Sequence, residues 1–457
     1  MTGNVWFPVY RKGYAATRKT GIVVEFSLVP LPCICLDFSV KKLLQSIGPS
    51  IIVAAVVLGP GSITTSTKVG AAFGYEMIWL MVALLVLLIG VASLAAWLGA
   101  TLEKPLCRAL SDQLGPWAGW VIGIAFFLIV AGFQSSNNMA VVAGIEPLLG
   151  EGAQFPNWAI VLSLVAINAI IIAILFTSSD LYKQVERIMK VFVLLMVVAF
   201  LVNFFWAKPA IGSALAGLKP DFAPFGDQAN LILVMGLIGT TFSVAGAFYQ
   251  GYLVREKGWG PDEVKSGFRD SIVGMCVLVG VTIVIMMTSA ATFHGSIGPN
   301  ELSDAGKMSA QLKSAFGPLS SYIFCFGFLA GAFSSFLVNA MIGGHVFSDG
   351  LNMGSALKGR STLLATTAAL LIGMIVGILA LTTDFDRTTT IVIAQASTVI
   401  GGPAVVAGLL YLGVRQRLVG ERKPPLILLI LVAISLLVSL TVAVNTGRGI
   451  WAKLMAG

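Results

Sequence analysis

The sequence predicts an all-α membrane protein of eleven transmembrane helices, built as two inverted repeats of five plus one further helix. Three observations predict it. The 457 residues are 57% hydrophobic and only 11% charged, with a mean hydropathy of +0.92. That leaves too little charge to clothe a soluble protein of this size, so the class is a membrane protein of many spans. Helix-breaking residues interrupt two hydrophobic segments at corresponding places in two five-span halves. Lys and Arg sort to alternate loops.

Hydrophobic segments of spanning length fall at about 47–73, 76–100, 116–144, 158–177, 191–207, 229–254, 270–292, 317–346, 362–382, 388–412 and 425–445. All of them must share one bundle, so residues 41–457 read as a single transmembrane domain. Repeat one is about 47–207, repeat two about 229–412, and the extra helix about 425–445. Residues 1–40 read as a cytoplasmic extension with a composition open to disorder. They do not read as a secretory signal, because the apolar run near Val23–Cys35 is short and carries Glu25, Pro30 and Pro32.

With the N-terminus inside, 21 of the 29 Lys and Arg fall on the inner side, seven fall outside, and Lys68 alone remains within a span. This bias predicts a multi-pass protein of the cell's inner (plasma) membrane with a cytoplasmic N-terminus. The same bias explains the net charge of +8 without nucleic acid as a partner. The five Cys show neither a pairing pattern nor metal-ligand spacing.

The first span carries Gly59-Pro60-Gly61-Ser62, and the sixth carries Ser243-Val244-Ala245-Gly246-Ala247 after Gly239-Thr240-Thr241. Pro and Gly in mid-membrane free backbone N–H and C=O groups that lipid cannot satisfy, so such breaks line a protein cavity or a substrate site. Because five is odd, the two spans run in opposite directions. An enzyme is not expected: there are two His, no carboxylate cluster within the spans and no nucleotide-binding motif. No cofactor or metal site is expected either.

The segment Ile47-Gly48-Pro49, then Gly59-Pro60-Gly61-Ser62, then Gly70-Ala71-Ala72-Phe73-Gly74-Tyr75 and Trp79 resembles the first span of the Nramp metal-ion transporters. Tyr182–Arg187 is similar to the basic–acidic start of that family's fifth span. Gly331–Ser335 is similar to part of the eighth, and Gln395 with Pro403 to the tenth. The resemblance covers about 41–445 and implies a LeuT-like fold with discontinuous helices 1 and 6. It also implies that the family's metal ligands are replaced here by Gly59, Ser62 and Ser243, and that its third-span acids become Asn138 and Val141.

The second halves of the broken helices, near Ser62 and Ala247, are expected to turn N–H groups and a positive dipole end towards the site, which suits an anion. Gly59, Gly61, Gly246 and the hydroxyls of Ser62, Thr64, Thr65 and Ser243 are the expected substrate contacts, with Gln395 either capping the site or bracing the core. Lys68 shares a helix face with Thr64 and Thr65 and would attract anions from outside. Its alternative role is to snorkel to the interface with its stem on Phe73 or Tyr75. Asn138, Glu186 and His345 are candidates for a coupling path, each with a structural alternative: interhelical bonding for Asn138, an ion-pair network for Glu186 and an interfacial role for His345.

The expectation is a secondary transporter importing a small oxyanion, bicarbonate first because divergent relatives of Nramp proteins have been linked to it. Symport of H+ would cancel the anion's charge, and Na+ remains open as the coupling ion. The alternative is a carrier of hydrated Mg2+ without proton coupling. A flux-free sensor or scaffold ranks last. The lipid bilayer is the one expected macroscopic partner, and a monomer suffices.

Overall fold

The computed structural model describes residues 48–149, 156–177, 198–226, 228–381 and 387–456, with Arg187, Val191 and Leu194 between. The expectations for residues 1–40 and for Glu186 lie outside the described residues. No β-strand occurs among the described residues.

The first span is broken as expected. α1 (Ser50–Val57) stops at Leu58, and α2 (Pro60–Phe73) restarts at an angle of 58°. Pro60 occupies the first turn of α2, where its missing N–H removes no helical bond. α2 ends at Gly74, whose φ of +59° is a conformation that side chains with a Cβ resist.

α3 (Ile78–Thr101) crosses next, followed by the short α4 (Leu106–Leu114). Gly115, at φ +98°, turns the chain into α5 (Pro116–Ile145), again with Pro at the start. α6 (Asn157–Thr177) and α7 (Val198–Ala207) complete the described first half.

The sixth span is also broken, into α8 (Gln228–Thr241) and α9 (Val244–Glu256). α10 (Val264–Phe293), α11 (Ser320–Gly350) and α12 (Arg360–Ala380) are continuous. The tenth span, expected as one helix, divides into α13 (Arg387–Ser397) and α14 (Gly402–Val419) across a tight 3-10 turn at Thr398–Gly401. The turn falls where Gly401-Gly402-Pro403 weakens a helix. α15 (Leu426–Ala456) closes the chain.

Among the described residues nine helical stretches are long and apolar enough to cross a membrane, and the bent pair α1/α2 makes a tenth. The remaining expected span, 191–207, lies partly outside the described residues, and α7 is its described part.

Two packing groups position the site. α2 lies against α10, and α10 and α9 lie against α3. Separately, α5, α11 and α12 pack together, with α6 on α12. α13 touches both groups, through α5 on one side and α2 on the other, with α8 packed on both α2 and α13. Glycines allow the closest crossings: a methyl added to Gly251 would meet the Ala95 carbonyl at 2.7 Å. Large apolar side chains stay exposed on α6, α12 and α15, among them Leu162, Leu379 and Leu437. These are lipid-facing positions for a protein with this many spans. Trp117, Trp120, Trp158 and Trp206 are also exposed, near helix ends where an aromatic belt belongs.

Candidate functional site: two helix breaks meeting at Gln395

At the first break the Leu58 N–H still donates to the Ala54 carbonyl at 2.9 Å, so α1 keeps its ladder to the end. The freed Val56 carbonyl accepts from Ser335 Oγ of α11 at 3.1 Å. A methyl on Gly59 would fall on that same hydroxyl, so glycine is needed there for close approach. At the second break Val244 N–H donates to the Phe242 carbonyl at 2.8 Å in a tight turn. Ser243 caps α9, its Oγ accepting from Gly246 N–H at 3.4 Å.

Gln395 on α13 joins the two breaks. A methyl on Gly61 would strike its side chain, and one on Gly239 of α8 would lie 2.6 Å from its carbonyl. Its Nε2 donates to Ser136 Oγ of α5 at 2.8 Å. Its Oε1 is buried with no hydrogen-bond partner, as are Ser62 Oγ, Thr64 Oγ1 and Thr241 Oγ1. Buried polar atoms are nearly always bonded, and these four sit on the residues about the breaks, while other buried atoms without partners, such as those of Ser93 and Thr446, are scattered through the bundle. A cavity of about 20 Å3, room for about one water, adjoins the second break, lined by Phe242, Ser243, Val244 and Ala245 with Phe133 and Thr398.

Two expected substrate contacts are already engaged. Thr65 Oγ1 donates to the Gly61 carbonyl at 2.9 Å and lies 3.0 Å from Thr240 Oγ1, stapling α2 to α8. Ala247 N–H is bonded to the Ser243 carbonyl at 3.0 Å, so with Val244 and Gly246 N–H also bonded, most first-turn amides of α9 are engaged. Lys68 is buried, and its Nζ donates to Thr389 Oγ1 near the start of α13 at 3.3 Å. Among the described residues, no three His, Cys, Asp or Glu side chains gather as a metal site.

Comparison with known proteins identifies the architecture. The family described as "Nramp: Natural resistance-associated macrophage protein-like" matches residues 50–447. The chain belongs to the Nramp family. The "Divalent metal cation transporter MntH" of Nostoc sp. is 23% identical over 403 residues, 84% of this chain and 86% of that protein. The protein of the same name from Deinococcus radiodurans is 24% identical over 400 residues, 83% and 84% respectively. Among solved structures, an Eremococcus coleocola manganese transporter shares the fold at TM-score 0.71 and 18% identity, over 90% of this chain and 88% of that one. MHP1, a nucleobase-cation-symport-1 family transporter, shares it at TM-score 0.52 and 15% identity, over 88% and 90%. The chain is thus a multi-pass member of a membrane transporter family.

Within this Nramp chain the other candidates lie apart from the breaks. Asn138 is wired between helices: its Nδ2 donates to the Gln134 carbonyl at 2.8 Å, and its Oδ1 accepts from Asn168 of α6 at 2.9 Å. His345 is buried near the C-terminal end of α11. Its Nε2 faces the Ser355 carbonyl at 2.9 Å, which can only accept, so Nε2 carries the proton. Its Nδ1 then accepts from Tyr249 OH of α9 at 2.9 Å. Tyr252, one turn on, donates to Asp349 at 2.6 Å.

The sequence reading passed over Ser136 and Asp270, and named Thr241 only as part of the segment before the second break. Ser136 carried no signal beyond being a hydroxyl in an apolar span. Asp270 carried one, as a carboxylate at the start of a hydrophobic segment.

Proposed function

We propose that this Nramp-family chain is a secondary active transporter that moves a small oxyanion, bicarbonate first among them, through a site between the two helix breaks. One observation carries the reading: Ser62, Thr64, Thr241 and Gln395 keep buried, unpartnered oxygens on the residues about the breaks, while residues 59–62 and 243–247 include no carboxylate, imidazole or sulfur. Hydroxyls donate to the oxygens of an oxyanion. The Gln395 Oε1 acceptor complements the single O–H of bicarbonate. The first-turn amides of α2 have no helical acceptor and add the positive end of the helix dipole.

Several finer features belong to the same proposal. The two breaks are related as inverted repeats, the N-terminus is cytoplasmic, and Gly59, Ser62 and Ser243 stand where metal-carrying relatives hold ligands. Lys68 places an ammonium on the outer approach. Coupling to H+ makes import electroneutral, and Na+ is the other candidate.

A second reading has its own support. The curated relatives are named divalent metal cation transporters, and one structural neighbour is a manganese transporter. On kinship alone, a divalent cation is favoured over an anion. Neutral oxygens suit such an ion only if it keeps its water, because a bare dication without a carboxylate is poorly compensated. Hydrated Mg2+ is the member of that class that fits.

Uptake by purified protein in liposomes separates the two. Saturable uptake of labelled bicarbonate, with internal alkalinisation only if Na+ rather than H+ is the coupling ion, and without Mg2+ or Mn2+ flux, is the expected result. Metal flux indifferent to bicarbonate overturns the oxyanion reading and establishes the cation.

A further inference from the structure

The predicted inner end of the bundle holds a buried carboxylate with no part in the site above. Asp270, in the second turn of α10, is 1% exposed. Its Oδ1 accepts from Gly48 N–H at 2.7 Å, and its Oδ2 accepts from Ser50 N–H at 2.9 Å. Both amides belong to the start of α1, where backbone N–H groups have no helical acceptor. Ser50 Oγ returns a bond to the Asp270 carbonyl at 2.6 Å. From α9, Gln250 Nε2 donates to Oδ2 at 2.9 Å. All three groups that meet the carboxylate are donors. α10 comes close enough at the next turn that a methyl on Gly274 would meet Ser50.

We propose that Asp270 is the latch of the inner gate: a positioning residue whose two oxygens hold α1, the inner half of the first broken span, shut against α9 and α10. The proposal rests on the transport reading, in which one half of a broken helix must move to open the site. α1 is separated from α2 by the 58° bend, and beyond Ser50 the other described side-chain bond to it is that from Ser335 to Val56. Releasing three donors from one carboxylate frees the start of α1 from α10 and from α9 together. An amide at position 270 keeps one acceptor and turns an NH2 towards groups that are themselves donors, so at least one of the three bonds is lost and another is opposed.

The test needs no substrate. Val53 of α1 is 1% exposed and faces Gly246 of α9. A V53C reporter in purified full-length protein, with the five native cysteines replaced, is exposed to a water-soluble maleimide and its labelling rate followed. Asp270→Asn is expected to raise that rate by about tenfold or more, the scale of a lost charge-assisted hydrogen bond, with D270A at least as fast. Asp270→Asn is the second variant that keeps the test decisive if D270A fails to fold. A merely structural cap would lower thermal stability and leave labelling at the parent rate, and that result overturns the latch. Because labelling is read without cargo, it stands whichever ion the liposome assay identifies, and loss of the transport reading shows separately as absent uptake by the parent protein.

Discussion

Ser62 is the residue on which the site's chemistry turns. Its hydroxyl is buried and bonded to nothing, an arrangement that lowers stability unless a ligand completes it. Ser62→Ala is therefore expected to leave the melting temperature unchanged or slightly raised, within about 1 kcal/mol, while weakening substrate affinity several-fold in liposome uptake. A destabilised S62A protein would mean that the hydroxyl braces the fold instead. Thr65 shows where residue-level reading stopped. Its place beside the break was legible, but its use was not, because Thr240, its partner, lies 175 positions along the chain. Gln395 was legible as a polar group in an apolar span. That it would touch both Gly61 and Gly239 depended on packing that no local pattern encodes.

At the scale of elements, the first break was legible, since Gly59-Pro60-Gly61 dictates it and the surrounding hydropathy places it in mid-membrane. The second falls at Phe242-Ser243, at the leading edge of the Ser243–Ala247 segment expected to carry it, with Gly239 and Gly246 inside α8 and α9. The division between α13 and α14 was missed, although Gly401-Gly402-Pro403 marks it, because hydropathy runs on unbroken through the turn. The crossing of α3 and α9 rests on paired glycines, Gly99 and Gly251. Gly251→Val would push a branched side chain into the Ala95 carbonyl and Leu106, at 2.7 Å for the Cβ alone. It is expected to destabilise the protein by about 3 kcal/mol or to prevent folding, read as loss of a monodisperse peak in detergent. Asn138 belongs to this scale too. It ties α6 to α5, and Asn138→Leu should cost about 1–3 kcal/mol by stranding buried polar partners, with substrate affinity unchanged in the protein that survives.

For the whole molecule, composition alone set the class, and the charge pattern set an orientation that awaits its own measurement. The cargo was the least legible property, because substrate sign depends on a handful of atoms while the scaffold depends on hundreds. If one H+ accompanies each bicarbonate, uptake is expected to be indifferent to membrane potential. Moving the anion alone against a negative interior costs about 2.3 kcal/mol per 100 mV. Imposing a potassium diffusion potential across the liposomes checks this. A rate that falls steeply with interior negativity would remove the proton from the cycle.

α2 has a consequence for how the protein is made. Thirteen of its fourteen residues are buried, so this half of the first span lies in the bundle without meeting lipid. Free of lipid's demand for apolarity, it carries Ser62 and the run Thr64–Lys68 at mid-membrane depth. Such a polar segment has little tendency to leave the translocon by itself, since its Lys and hydroxyls oppose insertion. Its integration depends on α3, which is apolar throughout and follows after four residues. A nascent chain cut between the two would slip back out of the bilayer, and one that includes α3 would stay.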